Sequence, residues 1–173
     1  GDEWLKFGSF KVGLDGGMNA GTAKMLEPYG PYSAQLFGLS DPDNDGDLRM
    51  TPQELMTIMR TAYEKGWQLS AHSQGSGAVD TLATVFETLN KEKPIAPTRP
   101  HFIHASFLTP QLIERAKTIG AIFDVQPDWL HFDGLALSKV TSAEAMRYFV
   151  PLKSLADAGV IFAGGSDHMI GWD

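Results

Sequence analysis

Residues 51–72 read TPQELMTIMRTAYEKGWQLSAH, and their punctuation decides the fold. Thr51 and Glu54 have the spacing of a capping box, in which two side chains satisfy backbone N–H groups that the first helical turn leaves unpaired. Pro52 occupies the first helical position, where its missing N–H is no loss. Leu55, Ile58, Met59 and Ala62 follow at helical spacing, and Gly66 closes the segment. Trp67 to His72 then reads as a strand, so the unit is a capped helix, a glycine stop and a strand.

The same order repeats on both sides. Upstream, Phe10 to Asp15 reads as a strand. Downstream, a helix carrying Val79, Leu82, Ala83 and Phe86 leads through a loop from Lys93 to Pro100 into a strand from His101 to Ala105. Thr109-Pro110 opens a helix with Leu112, Ile113, Ala116 and Ile119, which Gly120 ends before a strand from Ala121 to Gln126. Thr141 to Glu144 predicts a second capping box, Pro151 interrupts that helix, and it resumes through Leu155 to Gly159. Val160 to Ala163 is the last strand. Alternating strands and helices predict an α/β fold with a parallel sheet and right-handed crossovers. An open doubly wound sheet would carry a Gly-rich phosphate loop after an early strand, and Gly13, Gly16 and Gly17 lack GxGxxG spacing. A (β/α)8 TIM barrel places polar residues at the carboxyl ends of several strands, and this description fits better.

Composition removes other classes. The 173 residues suggest one domain, and 43% hydrophobic with 20% charged residues is an ordinary globular balance. A net charge of -7 argues against nucleic acid as a partner, because non-specific binding to phosphates needs a basic surface. No apolar run approaches a membrane span, and Gly-Asp-Glu-Trp at the start does not resemble a signal peptide. With no cysteine, disulfides, thiolate metal sites and cysteine nucleophiles are excluded together, and the compartment is left open.

The polar residues fall at strand ends. Lys11 and Asp15 lie on the first strand, His72 ends the second, His104 lies near the end of the third, and Asp167 follows the Gly164-Gly165-Ser166 turn after the fifth. Neutral imidazoles and carboxylates are the usual nitrogen and oxygen ligands of zinc. Taken one at a time, each has an ordinary structural reading: a satisfied histidine, a turn aspartate, a solvated lysine. They acquire a joint meaning only where a barrel gathers the strand ends. His101 and His104, three apart, face opposite sides of a strand, so at most one points inward.

Several segments resemble the amidohydrolase superfamily, and most closely its third family, which includes the N-substituted formamide deformylases. These are Lys11-Val12-Gly13-Leu14-Asp15-Gly16, Thr22-Ala23 to Glu27-Pro28-Tyr29, Gly66-Trp67 to His72 with Gly75 and Ala78-Val79-Asp80, His104-Ala105, Val125-Gln126-Pro127, and Asp157-Ala158-Gly159-Val160 to Asp167. The resemblance implies a metal-dependent hydrolase of amide-like C–N bonds on a small-molecule substrate, using one or two divalent ions, zinc above all. Lys11 resembles the fourth-strand lysine that many members carboxylate to bridge two metals. His72 and His104 resemble the fifth- and sixth-strand histidine ligands. Asp167 resembles the eighth-strand aspartate, which binds metal and takes the proton of the attacking water. Gln126, Trp129, His131 and His168 follow strand ends and are expected to touch substrate, with loop packing as the competing reading.

The family pattern is not complete. Gly75-Ser76 stands where members carry Gly-Asp, Ile103 where an acidic residue is usual, and no His-x-His occurs anywhere. The resemblance therefore implies a chain running from the fourth to the eighth strand, the second half of a barrel that takes about 250 residues. Such a piece is expected to be inactive alone and to meet either the rest of the barrel or another copy of itself. A different class of function comes from Asp41-Pro42-Asp43-Asn44-Asp45-Gly46-Asp47, which resembles the first half of an EF-hand loop. The alternative is thus a non-catalytic calcium-binding or interaction module using Asp41, Asp43, Asp45 and Asp47. In that register the twelfth residue is Pro52 rather than Glu, and Glu54 is already explained by its capping box.

Overall fold

A computed structural model describes residues 2–5 and 7–167. Five parallel strands, β1 (Phe10–Gly13), β2 (Leu69–Ser73), β3 (His101–His104), β4 (Ile122–Val125) and β5 (Phe162–Gly164), lie side by side in chain order. That order settles the architecture. A doubly wound sheet reverses its strand order at a switch point, whereas a sheet that always winds the same way is the barrel arrangement. Among the described residues eight α-helices accompany the strands: α1 (Ser33–Phe37), α2 (Pro52–Glu64), α3 (Ser76–Glu92), α4 (Pro110–Ile119), α5 (Trp129–Phe132), α6 (Gly134–Leu137), α7 (Ala143–Arg147) and α8 (Leu152–Ala158). Among the described residues no helix is long and apolar enough to cross a membrane.

The local signals act as expected. Thr51 Oγ1 accepts the Glu54 N–H at 3.2 Å while Glu54 Oε2 accepts the Thr51 N–H at 2.8 Å, which completes the capping box of α2. Thr109 caps α4 in the same way, and Gly120 ends it in the left-handed conformation. The second capping box is corrected by one residue. Ser142 caps α7 by accepting the Ala145 N–H, while the Thr141 hydroxyl donates to the Leu137 carbonyl behind it. The segment between β1 and α2 contains the short α1, and the segment after β4 contains α5 and α6.

Register assigns the two faces of the sheet, since paired residues of parallel strands project to one side. Val12, Ala71, Phe102, Phe123 and Phe162 form one rung, and they meet α2, α3, α4 and α8 in the main core. Phe102 has Phe86 edge-on at 5.4 Å and Phe123 stacked at 5.1 Å. The rung of Gly13, His72, Ile103, Asp124 and Ala163 and the rung of Lys11, Ser70, His101 and Ile122 project to the opposite face, where every one except Ser70 is half-buried or exposed. A second apolar cluster, including Met18, Met25, Tyr29, Phe107, Leu137, Val140 and Phe149, is built from segments that follow the strands. It forms a lid of loops beyond their carboxyl ends.

Phe102 is expected to dominate the core: Phe102→Ala should cost about 3–5 kcal/mol, against about 1 kcal/mol for Thr51→Ala. Urea unfolding measured on both variants checks the ranking.

Candidate active site

Asp15 follows β1, and its carboxyl is wholly buried. Its Oδ1 accepts from His72 Nδ1 at 2.8 Å and from the Gln74 N–H at 3.0 Å. Its Oδ2 accepts from the N–H groups of Lys24 at 3.0 Å and Gly75 at 2.9 Å. A buried polar group without partners would cost several kcal/mol, so four donors on two oxygens are what permits this burial. The approach is so close that a Cβ on Gly75 would stand 2.0 Å from the Lys24 carbonyl oxygen. Ser76, in place of the family aspartate, accepts the Leu26 N–H at 3.0 Å and so holds the same loop.

His72 emerges from this arrangement half-buried, and its ring lies 4.6 Å from that of His104. Strand alternation alone would put His104, which pairs with Ser73, on the helix-covered face. The backbone departs from the strand at this point: His104 has φ 74° and Ala105 φ 43°, a left-handed pair of non-glycine residues. Such strain persists where the surroundings over-determine it and gathers at functional sites. His104 then packs flat against Trp129 at 5.1 Å, and its Nδ1 meets Gln126 Oε1 at 2.7 Å. Burial holds the His104 pKa below the ordinary value; the Gln126 bond and the charge of Asp167 oppose this, and the charges of His72 and Lys11 reinforce it. The result is a neutral ring, which is the form that binds metal.

His72, Lys11 and Asp167 all act on His104 through their charges. Asp167 is exposed and has φ 52°, and Lys11 is exposed on the uncovered face of β1. Among the described residues no three His, Asp or Glu side chains gather closely enough to hold an ion by themselves. The donor chemistry nevertheless suits a divalent metal. Each histidine has Nδ1 engaged by an oxygen, and metal-binding histidines are usually oriented in that way through the nitrogen that does not bind. Of the expected substrate contacts, Gln126 is buried against His104, Trp129 stacks on the same ring, and His131 is exposed with Phe132 edge-on at 5.3 Å. His168 lies outside the described residues. Sequence reading left Asp15 out of the site; its signal was a carboxylate four residues beyond Lys11 at a strand end.

The acidic loop has a different part to play. Asp45 pairs with Lys24 at 2.6 Å, Asp41 Oδ1 accepts the Asp43 N–H at 2.9 Å, and Asp41, Asp43 and Asp47 are exposed. Asn44 and Asp45 accept the N–H groups of Tyr29 and Met25 through their carbonyls. Gly46, at φ 80°, lies so close to Ala23 that a Cβ would approach its carbonyl oxygen to 2.1 Å. The loop straps residues 22–29 in place, and its carboxylates do not converge on a calcium cage.

The sequence profile of the Amidohydrolase family matches residues 1–172. The chain is 29% identical over 167 residues to YtcJ of Bacillus subtilis (strain 168), a protein named provisionally as an amidohydrolase. It is 27% identical over 166 residues to the protein LONG AFTER FAR-RED 3 of Arabidopsis thaliana. These alignments cover 96% and 95% of this chain but 29% and 27% of the relatives, so the chain spans under a third of their length. Crystal structures of uncharacterized metal-dependent hydrolases from Pyrococcus horikoshii and Pyrococcus furiosus superpose with TM-scores of 0.77 and 0.79, at 25% and 23% identity. They cover 94% and 98% of this chain and 30% and 32% of those proteins.

The tight crossing at Gly75 gives a direct test of the frame. Gly75→Ala should cost about 2–3 kcal/mol through forced overpacking, while Gly165→Ala, with nothing within 4 Å, should stay within about 0.5 kcal/mol of the parent. Thermal or urea unfolding of the two variants decides.

Proposed function

Because the chain belongs to the amidohydrolase family, we propose that it contributes part of the metal site of a hydrolase acting on amide-like C–N bonds. The observation that carries this reading is the His72–His104 pair at the ends of neighbouring strands, 4.6 Å apart and each held at Nδ1 by an oxygen. His72, His104, Asp167 and Lys11 are the residues that would hold the metal, with zinc as the ion and Lys11 carboxylated to supply oxygen. A bound divalent cation supplies a water of lowered pKa and a polarised scissile carbonyl.

The residues of this chain do the remaining work. Asp167 is proposed to take the proton of the attacking water as its oxygen bonds to the carbonyl carbon, and to pass that proton to the amide nitrogen as the C–N bond breaks, so that an acid and an amine are released. Its exposed position beyond β5 leaves it accessible to that water. Trp129 and His131 are proposed to border the substrate, while Gln126 acts through His104. The charge of Asp167 also favours any positive charge that forms on His104.

We propose further that this arc of sheet is completed by other strands. Parallel sheets are normally covered on both faces. Here one face is open, and among the described residues β1 and β5 each pair on one side only. Further barrel strands suit these edges and would add metal ligands. The chain of 173 residues alone is accordingly expected to show little turnover of formamides or acylated amines and to self-associate with concentration in sedimentation velocity runs. Robust hydrolysis by a strictly monomeric chain would overturn that expectation.

Zinc titration of the same chain addresses the ligands. His72→Ala and His104→Ala should each weaken zinc binding by at least the roughly 10-fold that loss of a mere orienting partner brings. Unchanged affinity in both variants would remove these histidines from the reading.

A further inference from the structure

We infer that Asp15 is the positioning residue of the histidine pair, locking His72 with its proton on Nδ1 so that Nε2 carries the free lone pair. The inference deepens the metal-site reading above and rests on it for the use to which Nε2 is put. It starts from what a carboxylate can do. An ionised carboxyl only accepts hydrogen bonds, so the 2.8 Å contact between Asp15 Oδ1 and His72 Nδ1 requires the hydrogen on Nδ1. The other three donors on Asp15 are backbone N–H groups, of Lys24, Gln74 and Gly75, and none can move without the chain. The acceptor is therefore fixed in place before the histidine meets it, and the ring has one low-energy tautomer to adopt.

The second histidine follows the same design with a neutral partner. Gln126 Oε1 stands 2.7 Å from His104 Nδ1, and both side chains are buried. With both rings protonated on Nδ1, both Nε2 atoms are left as acceptors. That is the state a divalent cation needs, reached without expelling a proton at the moment of binding. A purely structural Asp15 would satisfy its three backbone donors equally well with no histidine beside it; its contact with His72 is the part that fold alone does not require.

An Asn at position 15 separates the two roles. Its single oxygen can serve one pair of donors, and its NH2 must face the other. Turned towards Lys24 and Gly75 the NH2 would oppose two fixed backbone donors, whereas turned towards Gln74 and His72 it opposes one, because the ring can accept at Nδ1 and move its proton to Nε2. The experiment is ring nitrogen NMR on the metal-free chain of 173 residues, labelled with nitrogen-15 at histidine and held at a pH where the rings are neutral. The expected result is Nδ1–H for His72 in the parent and Nε2–H in Asp15→Asn, with exposed His131 unchanged between the two. In parallel, zinc affinity should fall about 10–100-fold in Asp15→Asn.

Nε2–H on His72 in the parent protein would overturn the inference, and this measurement stands even where the variant fails to fold. A folded Asp15→Asn whose His72 stays Nδ1–H would overturn it as well. Gln126→Leu supplies an independent arm, in which His104 should lose its Nδ1–H preference while His72 keeps it. Because the tautomer is read without metal, Nδ1–H on His72 in a chain that binds no zinc would support the positioning role and count against the hydrolase reading.

Discussion

A carboxyl group cut off from water has to find its hydrogen bonds inside the protein, and Asp15 finds four from two other stretches of chain. The loop that leaves β1 is tied at Lys24, and the turn that leaves β2 is tied at Gln74 and Gly75. The same turn begins α3, so the longest helix of the fold takes its starting point from the contact. Gln74 extends the arrangement by accepting the Met18 N–H at 2.9 Å through its side chain. The lid of loops over the strand ends is thereby anchored to the sheet by polar contacts, with the apolar cluster around Tyr29 and Phe107 closing over them. Loss of the carboxylate would leave three backbone donors unsatisfied at one point, which is costlier than any single apolar contact in the lid.

This explains which parts of the fold were legible in residues alone. The capping box at Thr51, the glycine stops at Gly66 and Gly120, and the apolar spacing of α2 and α4 are local codes, each read within a dozen residues. The strand ends of His72 and His104 followed from them. The fate of Asp15 did not, because nothing within a few positions of Asp15 distinguishes a buried carboxylate from a solvated turn residue. Its partners lie up to 60 positions away. The acidic loop misled in the opposite direction. Its alternating carboxylates suggest a cation, while its backbone carbonyls are what the fold uses.

His101 and His104 show the same limit within one strand. Alternation says that they face opposite sides, and it assigns His101 to the uncovered face, where its Nδ1 lies 3.6 Å from Asp124. Burial lowers the His101 pKa, with Asp124 opposing the shift and Arg99 reinforcing it. By alternation His104 would point into the helix layer. Its ring reaches His72 because the strand ends there in a left-handed turn through His104 and Ala105. Periodicity carries no information about a residue that terminates the element it belongs to. The strained turn is therefore a better marker of the site than the histidine spacing, since it shows where the backbone gives up regular geometry to place a ring.

The chemistry of the two rings follows from their surroundings rather than from their identity. His104 is oriented by an amide and buried against Trp129, and the burial disfavours charge and leaves the ring neutral although the Gln126 bond opposes it. His72 is less buried and oriented by a carboxylate. The uncovered rung that carries His72 also carries Asp124 two strands away and lies beside the rung of the exposed Lys11 on the same face, so any surface packed against that face would have to accommodate charge at both levels. A wholly apolar covering would strand these groups, and barrel strands bearing further polar ligands would satisfy them.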